Sequence, residues 1–410
     1  MTTGDRHSVR VGRGRDPDSN KAALSAIHQA RISPPTNDVP GWVLAFCGGK
    51  HDPSKMIQAF SAGLDTMQIV GGSAAGVITR GGTGYSGFET AIAVFPASLP
   101  PPILLTEYQL EAGERRAGAR LGERIRRAAA PNSVVLLFYD SVAQSDPHQL
   151  HPASLLVEGI YDGLSGHPLH IIGGGMLTDM NLTDGYIFDR SAVAKHAVTA
   201  VVLPHEIRAE TAILHGCVPV SAFLEITKIE GAELFELNGK PALDVIEGLL
   251  GMPAGESARD ALSLMVTLGE KHGDRYAPYD ENAYVNRLIL SANPARRSIT
   301  LFEPDFKPGS IVQIMSRDNG LMAESVRRGA RLMTERCADR DCLLTLYVDC
   351  AGRASARSGS QIEEADILLE NLSIDAPFIG FYSGVEIAPV NGCSRPLDWT
   401  GVLTTLYRVP

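Results

Sequence analysis

Two short stretches put a thiol and a cation on one tight corner: Cys350-Ala351-Gly352-Arg353 and Cys47-Gly48-Gly49-Lys50-His51. A cysteine beside a fixed positive charge suits ligand capture, and its glycine neighbours let backbone N–H groups approach a bound group. The same cysteines would equally serve as small buried hydrophobes. A third corner, Asp140-Ser141, offers a carboxylate and a hydroxyl. Cys350 and Cys217 are the two thiols a cysteine-dependent enzyme would use, but each needs a base to raise its thiolate fraction. The Gly216 and Pro219 neighbours of Cys217 describe a bend, and His215 is the one basic group adjacent.

Metal chemistry finds little support. His148 and His151 are three apart, but Pro147 and Pro152 make the stretch a loop or helix entry, and no paired Cys-x-x-Cys is present. Haem would need an axial ligand, for which His51, His205 and His215 are the candidates, although no Cys-x-x-Cys-His attachment exists. Gly71-Gly72-Ser73 and Gly173-Gly174-Gly175 precede strands, which excludes dinucleotide and P-loop readings.

The corners follow apolar runs that read as strands buried on both faces: Trp42–Cys47, Val134–Asp140 and Leu343–Cys350. After each comes a helical stretch, a short strand into a glycine turn, and a closing apolar strand at Thr90–Phe95, Ala197–Leu203 and Leu403–Val409. The pattern predicts an α/β protein of repeated βαβ-like units, with helix-covered, mostly parallel or mixed sheets in two halves. Between the units the sequence predicts a helix over Glu107–Ala130, strands around Glu230-Gly231-Ala232, and a helix entered through Asn238-Gly239. A hinge at Met252–Ser257, a helix near Ala261–Leu268 and a long helix from Leu321 to Cys337 follow.

At 410 residues with 20% charged and 44% hydrophobic side chains, the chain is of globular composition. A net charge of −10 argues against nucleic acid as a partner. No apolar stretch is long enough to span a membrane, and Met1 to Lys21 lacks the apolar core of a secretory signal and reads as a solvated tail. Six cysteines are too few for a disulfide scaffold, so free thiols in a cytoplasmic protein are expected.

Cys350-Ala351-Gly352-Arg353 followed by Gly380-Phe381-Tyr382-Ser383-Gly384-Val385-Glu386-Ile387-Ala388-Pro389 resembles the C-terminal FIST domain. Ile69–Gly76, His215–Val220 and Glu236–Leu243 are similar to motifs of the FIST N-terminal domain. After a tail with a short helix over 1–39, the resemblance implies a FIST N-terminal domain over 40–252 and a FIST C-terminal domain over 253–410. It also implies a stand-alone sensory module that binds a small polar, amino-acid-like ligand and signals to a separate effector protein. Carried over residue by residue, the ligand candidates are Cys350, Arg353, Tyr382, Ser383 and Glu386, with Cys47, Lys50 and His51 at the first corner. Arg353 would take a carboxylate and Glu386 an ammonium; the same two would equally make an internal salt bridge that positions the turn. One branch of the family binds haem and reports nitric oxide, so haem is the competing cofactor. A cysteine-dependent enzyme acting on a small molecule and a protein-interaction scaffold also compete with the sensory module. The family's usual His-Asn pair is replaced here by Leu397-Asp398-Trp399-Thr400.

Overall fold

The computed structural model describes residues 9–32, 38–146, 148–251 and 265–409. The three apolar runs form strands Pro40–Gly48, Val134–Asp140 and Asp341–Cys350, each the centre of a six-stranded mixed sheet. Each pairs in parallel with the strand that follows its helix: Ile69–Ala74, His170–Met176 and Phe378–Ser383, respectively. On the other side each pairs antiparallel with its closing strand, Glu89–Pro96, Ala197–Val202 or Gly401–Arg408.

The sheets are tied together cyclically. The hairpin Val77–Gly84 leaves the first unit and pairs with Phe378–Ser383 of the third. The hairpin Ile187–Ala194 of the second unit pairs with Ile69–Ala74 of the first, and Glu386–Leu397 of the third pairs with His170–Met176 of the second. No sheet is complete without a neighbour, so the described chain packs as an interlocked ring. At its middle Phe46, Phe138 and Phe381 meet, with ring centroids 4.2 Å apart for Phe46 and Phe381 and 5.7 Å for Phe46 and Phe138.

Helices cover the outer faces. Ser19–Ile32 and Pro53–Leu64 pack on the first sheet, Glu114–Ala128 and Ala153–Leu164 on the second, and Asn319–Cys337 and Glu364–Asn371 on the third. A small closed barrel adds a separate core of Ile226, Leu234, Leu268, Ile289, Ile299 and Ile314, with Leu243 and Ile246 of helix Ala242–Leu250 packed against it. Its strands come from both sides of residue 252. Among the described residues no helix is long and apolar enough to cross a membrane.

Three expectations require correction. Arg10–Arg15, read as tail, is an edge strand paired with Glu89–Pro96. Its inward face carries Arg10, Gly12 and Gly14, the glycines fitting against the backbone of helix Ser19–Ile32, so no apolar alternation marks it. Of the helix expected over Glu107–Ala130, Glu107 and Tyr108 instead end the strand Ile103–Tyr108, and the helix starts only at Glu114, after Gln109 and Gly113 adopt positive φ. Val266–Leu268, read as the end of a helix, belongs to the barrel strand Val266–Lys271, as its β-branched Val266-Thr267 favours; Ala261 and the hinge Met252–Ser257 lie outside the described residues.

Candidate functional site

The three strand-end corners meet through their backbones. Gly49 donates to the carbonyl of Thr178 at 3.2 Å, Gly384 to Gly175 at 3.0 Å and Ala75 to Tyr382 at 3.2 Å, so each unit touches both others. Gly49 has no room for a side chain, since a Cβ there would lie 2.4 Å from the Thr178 carbonyl oxygen. The segment between His170–Met176 and Ile187–Asp189 roofs this junction. Its Leu177 is fully buried against Gly384, Gly49 holds it at Thr178, and Arg357 holds it at the Met180 carbonyl.

Below the roof, at the end of the third central strand, lies a buried polar cluster. Arg353 is fully buried: it bonds Glu364, donates to the carbonyls of His215 at 3.2 Å and Trp399 at 3.0 Å, and places Nε 3.3 Å from Asp349. The Tyr347 hydroxyl donates to Glu364 at 2.8 Å and that of Tyr382 to Glu363 at 2.6 Å. Ser383 Oγ lies 2.6 Å from Glu386 and 3.1 Å from the Asp349 carbonyl. A serine hydroxyl has one proton, so both are hydrogen bonds only if Glu386 is protonated, donates to Ser383, and Ser383 donates onward. Burial acts in the same direction, pushing the Glu386 and Asp349 carboxyls well above the usual range and raising Glu364. Neither Asp349 side-chain oxygen makes a hydrogen bond among the described residues, although Arg353 is beside one of them.

Cys350, Arg353, Tyr382, Ser383 and Glu386 are thus gathered in or beside one cluster, and Arg353 is already engaged by an internal carboxylate. Burial raises the Cys350 thiol well above its ordinary range. Cys217 is buried near Arg353 and Arg317, and burial raises its thiol to about 11. Arg317 stacks on Trp399 with its guanidinium carbon 3.1 Å from a ring centroid, and burial lowers it to about 10.

Cys47, Lys50 and His51 form a separate corner at the end of the first sheet. The Cys47 thiol is fully buried, 3.3 Å from the Thr90 hydroxyl, and burial pushes it up to about 12. Lys50 is exposed with Nζ 4.7 Å above the Phe88 ring, and buried His51 packs edge-on to the same ring, its pKa lowered by burial. His215 uses both ring nitrogens, Nε2 toward the Glu281 carbonyl at 3.1 Å and Nδ1 accepting from the Cys217 N–H at 2.9 Å, which fixes a neutral Nε2–H tautomer. His205 is exposed beside Glu206. The three histidines therefore belong to three different surroundings.

The sequence reading did not single out Asp349, Glu363, Glu364, Tyr347 or Arg317. Asp349 carries one signal: a lone carboxylate ending an otherwise apolar buried run, which low dielectric makes costly unless it has a role. Glu363 and Glu364 enter only because helix Glu364–Asn371 begins beside Arg353, a tertiary fact without a local mark.

Residues 41–240 match the FIST N domain and residues 242–389 the FIST C domain. The chain is similar to the uncharacterized proteins Rv0628c of Mycobacterium tuberculosis H37Rv and Mb0898c of Mycobacterium bovis. Each is 26% identical, over 393 and 396 residues respectively, spanning 94% of this chain and 95% of the relative. Among solved structures, a cyanuric acid hydrolase from A. caulinodans aligns over 98% of this chain and 99% of its own, with 10% identity and a TM-score of 0.30.

Proposed function

The chain belongs to the FIST family, and from that premise we propose that it is a sensory module that binds a small polar, amino-acid-like ligand at the Arg353–Glu386 cluster and passes a change of shape to a separate partner protein. The observation that carries this reading is an imbalance of charge: Asp349 and Glu364 lie against Arg353, and Glu363 and Glu386 add two more carboxyls close enough to raise Asp349 further. Without ligand, protonation relieves that imbalance. An ammonium group, with three N–H donors and a positive charge, would relieve it while the carboxyls ionise. The cluster therefore addresses the ammonium end of such a ligand, because Glu364 already engages Arg353. A ligand entering under residues 177–186 displaces Leu177, and the ties of that segment to Gly49 and Arg357 carry the displacement to the first and third units.

Thermal-shift measurements with the twenty amino acids and their decarboxylated amines test this. At least one should raise the melting temperature, Asp349→Asn should remove that shift, and calorimetry in two buffers of different ionisation enthalpy should show proton release. A shift that survives Asp349→Asn with no proton released would refute the assignment.

A further inference from the structure

A cavity of about 720 Å³ opens on the far side of the molecule's third sheet, between edge strand Arg10–Arg15, the tip of hairpin Val77–Gly84, and the beginnings of strands Asp341–Cys350 and Phe378–Ser383. Its volume lies in the range of small-molecule sites, roughly 300–1,000 Å³. Three arginines, Arg10, Arg13 and Arg80, line it together with the apolar side chains of Val11, Leu343 and Phe378. Arg13 is fixed in place by neutral groups: Nη1 donates to the Gly81 carbonyl at 3.1 Å and Nη2 to the Thr83 carbonyl at 2.9 Å. Its Nε is buried and makes no hydrogen bond among the described residues. Arg80 likewise donates to a carbonyl, that of Ile374, at 2.8 Å.

Neither Arg13 nor Arg80 has a carboxylate within 4 Å among the described residues, although Asp341 and Asp375 also line the cavity; the nearby Glu89 pairs with Arg15 at 3.3 Å, Asp341 lies 3.8 Å from Arg408, and Arg10 lies 3.8 Å from Asp38. The Gln29 amide accepts from the Arg13 backbone N–H through its oxygen, which leaves its NH₂ to donate. Fixed guanidinium groups held by neutral carbonyls keep their charge available to an incoming anion, and their planar forks match a carboxylate.

We infer that this cavity is a binding site for a small organic carboxylate with an apolar body, its head group against Arg13 and Arg80 and its body over Val11, Leu343 and Phe378. The arginines and hairpin come from the N-terminal part of the chain and the apolar floor mostly from the part matching the FIST C domain. A bound carboxylate bridges the two. The site stands apart from the strand-end cluster, which asks for an ammonium group.

The test is isothermal titration of the full chain with acetate, butyrate, 3-phenylpropionate and the neutral 3-phenylpropanamide, none of which carries an ammonium group. Affinity should rise from acetate to butyrate by up to roughly fourfold per buried methylene. 3-Phenylpropionate should bind at least tenfold more tightly than its amide, and Arg80→Gln and Arg13→Gln should each weaken it at least tenfold. Arg13→Gln removes two bonds that hold the hairpin, whereas Arg80→Gln removes only the one to the Ile374 carbonyl from an exposed side chain, so a melting temperature measured alongside separates weakened binding from loosened structure. Equal affinity for acid and amide, wild-type affinity in Arg80→Gln, or no carboxylate binding more tightly than about 1 mM would each overturn the inference.

Discussion

The corners at Cys47–His51 and Cys350–Arg353 are built from the same three kinds of residue: a cysteine ending a buried strand, a glycine, and a cation three positions on. Their fates differ. Lys50 reaches solvent and rests over Phe88, whereas Arg353 turns inward, fully buried, and joins Glu364, Asp349 and two carbonyls. The side chains explain much of this. An ammonium is a compact, strongly hydrated charge, costly to bury, while a guanidinium spreads its charge and presents five donors that several acceptors can share. The surroundings complete it: the third unit supplies carboxyls at Asp349, Glu363, Glu364 and Glu386, while the first corner has Cys47 and Thr90 at the corresponding strand end. One motif thus yields a surface corner in one sheet and an internal charge cluster in another.

The comparison breaks most visibly on removal of the cations. Arg353→Ala leaves Glu364 and Asp349 buried without their guanidinium, and the loss of one partner from a buried pair costs roughly 3–5 kcal/mol. Urea denaturation should show a loss of that size, and Arg353→Lys should recover only part of it. A loss under about 1 kcal/mol, in the range of ordinary surface substitutions, would mean that the interior charge network is not what holds this corner.

A second prediction concerns pH. Burial raises Asp398, next to the cluster on the strand-end turn, to about 7. Between about pH 4 and pH 7 the unfolded chain releases this proton while the folded chain keeps it. Its contribution to stability is therefore fully present in acid and is lost as pH rises, with a slope of up to about 1.4 kcal/mol per pH unit. Asp398→Asn should flatten that decline in denaturation experiments at pH 5, 6 and 7, and Glu386→Gln should act with the same sign. Arg287 lies 3.6 Å from Asp398, but Asp305 already engages its guanidinium. A stability that instead rises with pH, more steeply in wild type than in the variant, would make the Arg287 pair dominant.

What the sequence made legible follows from the same physics. The three central strands, their partners and the closing strands show as largely apolar runs because burial on both faces favours aliphatic side chains, the buried polar residues among them, such as Asp349 and Thr404, being hydrogen-bonded or held in the cluster. Edge strand Arg10–Arg15 escaped because glycine and arginine, not aliphatic residues, make its buried face. The cyclic exchange of hairpins depends on which sheet accepts them, and short segments such as Val77–Thr79 carry no local mark of their partner. In the cluster, the motif positions Arg353, Ser383 and Glu386 were readable, but the carboxylate that meets Arg353 comes from a helix eleven residues on, Glu364, whose sequence looks like any acidic first turn.

The thiols sharpen the comparison further. Burial raises both Cys47 and Cys350, and only Cys393 of the six cysteines is exposed. Iodoacetamide at pH 7.5 followed by peptide mapping should modify Cys393 first, with Cys47 and Cys350 reacting only on unfolding. Alkylation of Cys350 as fast as Cys393 would reopen the nucleophile reading and would require a thiolate where the Glu386 and Asp349 carboxyls oppose one.

The smallest effect belongs to Lys50. An exposed cation over an aromatic ring contributes about 0.5–1 kcal/mol, so Lys50→Met, which keeps most of the apolar stem against Phe88 and removes the charge, should lose no more than that in urea denaturation. Lys50→Arg should lose nothing, because a guanidinium stacks on the same face. If Lys50→Met cost as much as Arg353→Ala, the first corner would hold its cation as tightly as the third, and the contrast between the two would rest on neither hydration nor the carboxyls that surround Arg353.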